Sequence, residues 1–136
     1  MPRRRRLRRV VSPPGFKGYR PYGLAHRNQG VVELFYEEYE SIKLTDYDSM
    51  THLEASEVMG VSRATFARIY AKARQKIALA LVESKEIKTV FGHAFFDNDW
   101  YQCQDCQTRF TIPEKLKQTA CPLCHSTNFK HLNDHL

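Results

Sequence analysis

Four cysteines, all in the last third of this 136-residue chain, form two CxxC pairs: Cys103 and Cys106, then Cys121 and Cys124, with fourteen residues between the pairs. A CxxC turn holds both sulfurs on one side of a tight backbone knuckle, and two such turns supply a tetrahedral set of thiolates. One Zn2+ ion is the expected occupant. Iron of rubredoxin type is the rival, because CPLC resembles a rubredoxin knuckle. Those knuckles usually carry Gly after the second Cys, whereas here Gln107 and His125 follow. Four thiolates leave no open position for a substrate water, so the metal is expected to be structural. A segment of about 37 residues buries too little apolar surface to fold unaided, and metal binding supplies the difference. His125, His131 and His135 lie close by, but the cysteines already fill the site.

A second set of residues could bind a polyanion. Ser62, Arg63, Thr65, Arg68, Lys72 and Arg74 fall at helical spacing, and residues 63–76 hold five basic side chains and no acid. Residues 1–27 add nine Arg or Lys and no acid, including Arg3, Arg4, Arg5, Arg6, Arg8 and Arg9. The other 109 residues carry twelve basic and fifteen acidic groups, so the net charge of +6 conceals a sharp segregation. Segregated charge of this kind implies an anionic polymer as partner, touched by an arm and by one helix, and the helix-turn-helix signals below make double-stranded DNA the expected one.

The elements that must position these groups follow from local signals. Thr51 with Glu54 forms a capping box, and Ala55, Val58 and Met59 share a helical face. Gly60 suits a left-handed C-cap, Val61 fills the space between helices, and Ser62 caps the next helix. That helix buries Phe66, Ile69, Ala73 and Ile77 and runs to about residue 82. Its apolar distal half, residues 76–85, either contacts a second copy or packs against the arm or residues 87–91. Residues 31–50 are read as a supporting helix with Phe35, Tyr39 and Ile42 inward, Glu37, Glu38 and Glu40 outward, and Leu44 and Tyr47 completing the core. The expected fold is therefore mainly α. It comprises an extended, mobile basic N-terminal arm (1–30), a three-helix helix-turn-helix domain (31–86), a connector with a short strand (87–99) and a small β zinc ribbon (100–136). In the arm, Phe16, Tyr19 and Tyr22 either pack on the domain or stack on bases. In the ribbon, Arg109 and Lys130 offset the charge of the thiolates or touch nucleic acid, as do Lys115 and Lys117.

The stretches EEYESIKLTDYDSM (37–50) and EASEVMGVSRATFARIYAKARQKIALALVESK (54–85), with the Arg-rich, Pro-containing start, resemble the domain of unknown function 134 family, also called uncharacterised protein family 0251. The resemblance covers about 60% of the chain and implies a helix-turn-helix similar to region 4 of sigma factors, with DNA binding. It is read as stopping short of the cysteine-rich tail.

The leading functional reading is a sequence-specific DNA-binding transcriptional regulator carrying a structural zinc ribbon. A metal- or redox-responsive regulator sensing through the four cysteines is a second. An adaptor contacting RNA polymerase is a third, and a homodimer would suit any of them. Catalysis is not expected: there is no Gly-rich phosphate loop and no nucleophile elbow, and His93, Asp97 and Asp99 sit in a connector as surface residues. No apolar run is long enough for a membrane span or a secretion signal, so the expected compartment is the cytoplasm.

Overall fold

The computed structural model describes residues 7–23, 30–112 and 120–132. Arg3, Arg4, Arg5, Arg6, Lys115, Lys117 and His135 lie outside the described residues. The chain begins with two short strands, β1 (Arg8–Arg9) and β2 (Gly18–Tyr19), and then a longer one, β3 (Val31–Phe35). Helix α1 (Tyr36–Ile42) passes into a π-helical turn at Lys43–Tyr47, followed by α2 (His52–Met59) and α3 (Arg63–Val82). Strands β4 (Glu86–Val90) and β5 (Ala94–Phe95) precede the cysteine module, which holds β6 (Tyr101–Cys103), β7 (Arg109–Phe110) and β8 (Phe129–His131).

This overturns the mainly α expectation: among the described residues three α-helices stand beside three sheets, and the architecture is mixed α/β. The main correction lies at residues 31–35. Val31, Val32, Glu33 and Leu34 alternate exposed, buried, exposed, buried, which is the period of a half-buried strand. Strand β3 pairs in parallel with β4, Val31 opposite Glu86 and Phe35 opposite Val90, so the whole helical segment is one crossover between neighbouring strands. Helix α1 starts only at Tyr36, where the Glu38 carboxylate accepts the Phe35 N–H at 2.9 Å.

The segment read as a mobile arm is built into the body from residue 7 onward. β1 runs parallel to β5, with the Arg8 N–H donating to the His93 carbonyl at 2.7 Å and Val10 to Phe95 at 2.9 Å. β2 lies antiparallel on β4, where Gly18 approaches so closely that a Cβ would meet the Ile87 carbonyl at 2.3 Å. Val10, Pro13 and Pro14 are buried, and Phe16 meets the rings of Tyr19 and Tyr39 at 4.6 and 6.0 Å, while Tyr22 is exposed. A basic composition predicted solvation, but Val10 closes a core with Tyr36, Ala94 and Phe96 that outweighs it.

The acidic side chains of α1 are also reversed. Glu37, Glu38 and Glu40 are all buried, and Tyr47, expected in the core, is exposed. Helix α1 is enclosed by β1, the segment after β4, and α3, so it has no acidic solvent face. Its carboxylates instead accept hydrogen bonds from those neighbours: Glu37 from the His93 N–H at 2.8 Å, Glu38 from Lys76 Nζ at 2.6 Å, and Glu40 from the Val11 N–H at 2.8 Å. Leu44, Ala55, Met59, Phe66 and Tyr70 form the core beneath the helix-turn-helix, and Tyr70 Oη donates to Asp46 at 2.8 Å. At the distal end of α3, Ala80 is buried, whereas Leu79, Leu81 and Val82 are exposed.

Candidate nucleic-acid interface and metal centre

The turn between α2 and α3 follows from three residues. Gly60 takes the left-handed backbone (φ 66°, ψ 32°), which a residue with a Cβ reaches only at a cost. Val61 packs on the core beneath, and Ser62 Oγ accepts the Thr65 N–H at 3.1 Å, capping α3. At the other end of α2, Thr51 Oγ1 accepts from the Glu54 N–H while the Glu54 carboxylate accepts from the Thr51 N–H, each at 3.2 Å. Phe66, Tyr70 and Ala73 turn inward, and Arg63, Arg68, Lys72 and Arg74 remain exposed. None of these four forms an ion pair with a described residue. Thr65 is half-buried, and its hydroxyl accepts from Ser62 Oγ at 3.0 Å.

Other basic residues are already engaged. Lys76, the last of the basic run, donates to Glu38 and to the Glu33 carbonyl at 2.9 Å, and its ammonium sits 4.0 Å from the Phe35 ring centroid. Arg8 lies 3.9 Å from the Glu37 carboxylate, and Arg9 is paired with Asp97. Sequence reasoning missed these pairs because their acids come from α1 and the connector, far away along the chain.

The cysteine module is a three-stranded antiparallel sheet, β7-β6-β8, with a knuckle at each CxxC. The two knuckles repeat one another. Cys103 N–H donates to the Thr108 carbonyl at 2.9 Å and Cys121 N–H to that of Ser126 at 2.8 Å; Gln107 and His125 return N–H bonds to the Cys103 and Cys121 carbonyls at 3.0 and 2.9 Å. Gln107 and His125 both have left-handed backbones, φ 66° and 62°, at the position where glycine would be unstrained. The four sulfurs lie within 4.8 Å of one another, with Cys103–Cys124 at 3.5 Å and Cys106–Cys121 at 3.6 Å. A tetrahedron of thiolates around zinc has edges of about 3.8 Å, so the donor set fits such an ion.

Local hydrogen bonds prepare these thiols unequally. The Cys106 N–H, and then that of Asp105, favour the Cys103 thiolate and bring it down to about 7 despite burial. Cys124 is driven the other way, to about 12: a backbone hydrogen bond from Ser126 favours its thiolate, but burial and the three neighbouring thiols outweigh it. Without a cation the cluster therefore holds protons, which a metal ion bound by Cys103, Cys106, Cys121 and Cys124 would displace.

Arg109, read from the sequence as offsetting the thiolate charge or touching nucleic acid, joins the module to the body. Its Nη1 donates to the Pro14 carbonyl at 2.9 Å and lies 3.4 Å from Thr89 Oγ1, and its guanidinium stands 5.1 Å from the Tyr36 ring centroid.

A family model described as "Protein of unknown function DUF134" matches residues 1–95. The chain belongs to the DUF134 family. Among its relatives, a UPF0251 protein of Chloroherpeton thalassium is 36% identical over 132 residues, covering 97% of this chain and 87% of the relative. A UPF0251 protein of Methanothermobacter thermautotrophicus is 40% identical over 128 residues, 94% of this chain, which spans 66% of that relative's length. A UPF0251 protein of Pelotomaculum thermopropionicum is 35% identical, covering 97% of this chain and 99% of the relative. The similarity thus extends well past residue 95, and the cysteine segment lies inside alignments that cover 97% of the chain. No solved structure matches the chain. Among the described residues no helix is long and apolar enough to cross a membrane.

Proposed function

We propose that this DUF134 protein binds double-stranded DNA through α3 as a sequence-specific transcriptional regulator, with one Zn2+ ion holding the C-terminal ribbon together. The observation that carries the reading is the Gly60–Ser62 turn, which leaves Arg63, Arg68, Lys72 and Arg74 exposed and free of described ion pairs on one helix. A helix capped at its N-terminus and cationic on its outer side is suited to the major groove. Arg68 would read base edges, and the Ser62 end of the helix would hold a phosphate. Arg8 and Arg9 are committed to carboxylates, so within the basic start the reading leaves Arg3, Arg4, Arg5 and Arg6 as the added source of backbone affinity.

Fragments bound from random duplex DNA, selected with metal-loaded and with metal-stripped protein, test this. A consensus should emerge, and Arg68→Ala should relax it at one or two positions. Four phosphate contacts from α3 alone give a log affinity that falls with log salt at a slope of about −4. Failure to enrich any sequence, together with an affinity indifferent to salt, removes the proposal.

A second reading, in which the metal state adjusts DNA binding, is favoured by Arg109, since the ribbon reaches α1 through it and α1 packs on α3. Equal enrichment by loaded and stripped protein would reduce the ribbon to a structural or docking part.

A further inference from the structure

Two adjoining hollows lie where the ribbon meets the body, and neither contains a residue of α3. The wider, about 600 Å3, is within the size range of small-molecule sites. Gln102, Gln104 and Gln107 of the first knuckle line it, with Phe129 and Lys130 of β8 and with Lys17, just before β2. The narrower, about 250 Å3, shares Lys17 and adds Arg20 and Lys88 of β4. Gly18 forms part of its wall, and the close approach of β2 to β4 leaves no room for a side chain there, so the backbone stays bare.

The charge along these hollows has one sign. Lys17, Lys88 and Lys130 are exposed, and none forms an ion pair with a described residue. Among the described residues no carboxylate lines the wider hollow, and Glu86 in the narrower is engaged by Arg20 at 3.2 Å. The carboxamides are held in place. Gln102 Nε2 donates to Gln107 Oε1 at 2.7 Å, and Gln107 Nε2 to the Gln104 carbonyl at 2.9 Å. Gln104 Nε2 donates to the Gln102 carbonyl at 3.2 Å, while Arg109 Nε lies 3.4 Å from Gln102 Oε1. Each amide nitrogen keeps a second N–H, and Gln104 Oε1 accepts from no described residue. Fixed donors and an acceptor beside an aromatic ring suit the edge and face of an unpaired base, and lysines leading away suit its phosphates. The bases of a duplex are stacked and paired, so a hollow of this size receives one only from a single strand.

We propose that these hollows bind single-stranded nucleic acid, with Lys17, Lys88 and Lys130 along its phosphates and one base in the wider hollow against the amides of Gln102, Gln104 and Gln107. This site stands independently of duplex binding by α3.

The test is fluorescence anisotropy of the metal-loaded full chain with short labelled RNA and DNA strands of sequences that cannot fold. Comparing the two strands reports whether the 2′-hydroxyl contributes. The combined Lys17→Ala, Lys88→Ala, Lys130→Ala protein alters only exposed side chains and should bind the preferred strand at least about tenfold more weakly. Three lost phosphate contacts at about 0.7 each should also make the slope of log affinity against log salt shallower by about 2. Its affinity for duplex DNA should be unchanged, and Arg68→Ala should not reproduce the loss. Polyglutamate, which supplies charge without bases, should bind at least about tenfold more weakly than the strand. Unchanged strand affinity in the triple variant overturns the site. An equal loss for duplex and strand, or polyglutamate binding as tightly as the strand, overturns it too. Failure of duplex binding alone removes only the α3 reading.

Discussion

The Glu38–Lys76 pair sets how α3 sits on α1, and its removal has a calculable cost. The carboxylate side chain is 5% exposed and the ammonium side chain 17%, with 2.6 Å between charged atoms. Deleting one member of a buried pair strands the other, at about 3–5 kcal/mol. In Glu38→Ala, Lys76 keeps the Glu33 carbonyl and the Phe35 ring and is partly solvated, which places the loss near the lower end, at about 3 kcal/mol. Lys76→Met should cost more, about 4 kcal/mol, because the more deeply buried Glu38 then retains only the Phe35 N–H. The combined Glu38→Leu, Lys76→Met protein should recover much of the loss, since an apolar pair strands no charge. Urea unfolding of metal-loaded protein, followed by helical circular dichroism, reads all three. Single losses below about 1 kcal/mol, or costs that simply add in the double variant, would refute the account of a buried, coupled pair.

Three further outcomes follow from the same structure. Arg109→Ala removes a charged hydrogen bond to the Pro14 carbonyl and a cation–π contact with Tyr36, worth about 2–3 kcal/mol together, and should separate one unfolding transition into two, with the ribbon melting first. A single transition with an unshifted midpoint counts against that bridge. Burial raises the Glu40 carboxyl above its usual value even though the Val11 N–H opposes this, so the folded state holds this proton more tightly than the unfolded chain. Its contribution is therefore complete below the unfolded value and is lost as pH rises through the folded one; Glu40→Gln should flatten the stability curve across that acidic window, and an unchanged slope would contradict it. His125→Gly relieves a left-handed backbone at no described side-chain contact, and should tighten zinc binding about fivefold in a chelator competition, equivalent to about 1 kcal/mol; weaker binding would show that the knuckle is not strained there.

What could be read from the chain was local. Thr51, Gly60 and Ser62 announce their caps within three residues, and the spacing of Cys103, Cys106, Cys121 and Cys124 encloses its own site. Two-residue strands carry no usable period, so the pairing of Arg8–Arg9 with Ala94–Phe95 left no trace in either segment. The acids of α1 illustrate a different limit. A glutamate's preference for water is a prior on its surroundings, and here the surroundings are N–H groups and a lysine from distant segments. Val31 to Leu34 were legible as a strand, but the helical stripe of Phe35, Tyr39 and Ile42 directly after them drew the boundary four or five residues early.

The pairing of β1 with β5 also bears on how the chain is assembled during synthesis. Arg8 meets Ala94, so its partner emerges 86 residues later, and at about 5–20 residues per second that is a wait of roughly 4–17 s. The helical unit, whose contacts are closer in sequence, can condense on the ribosome meanwhile. Arg8 and Arg9 stay without their strand partners until Ala94 and Phe95 have followed them out.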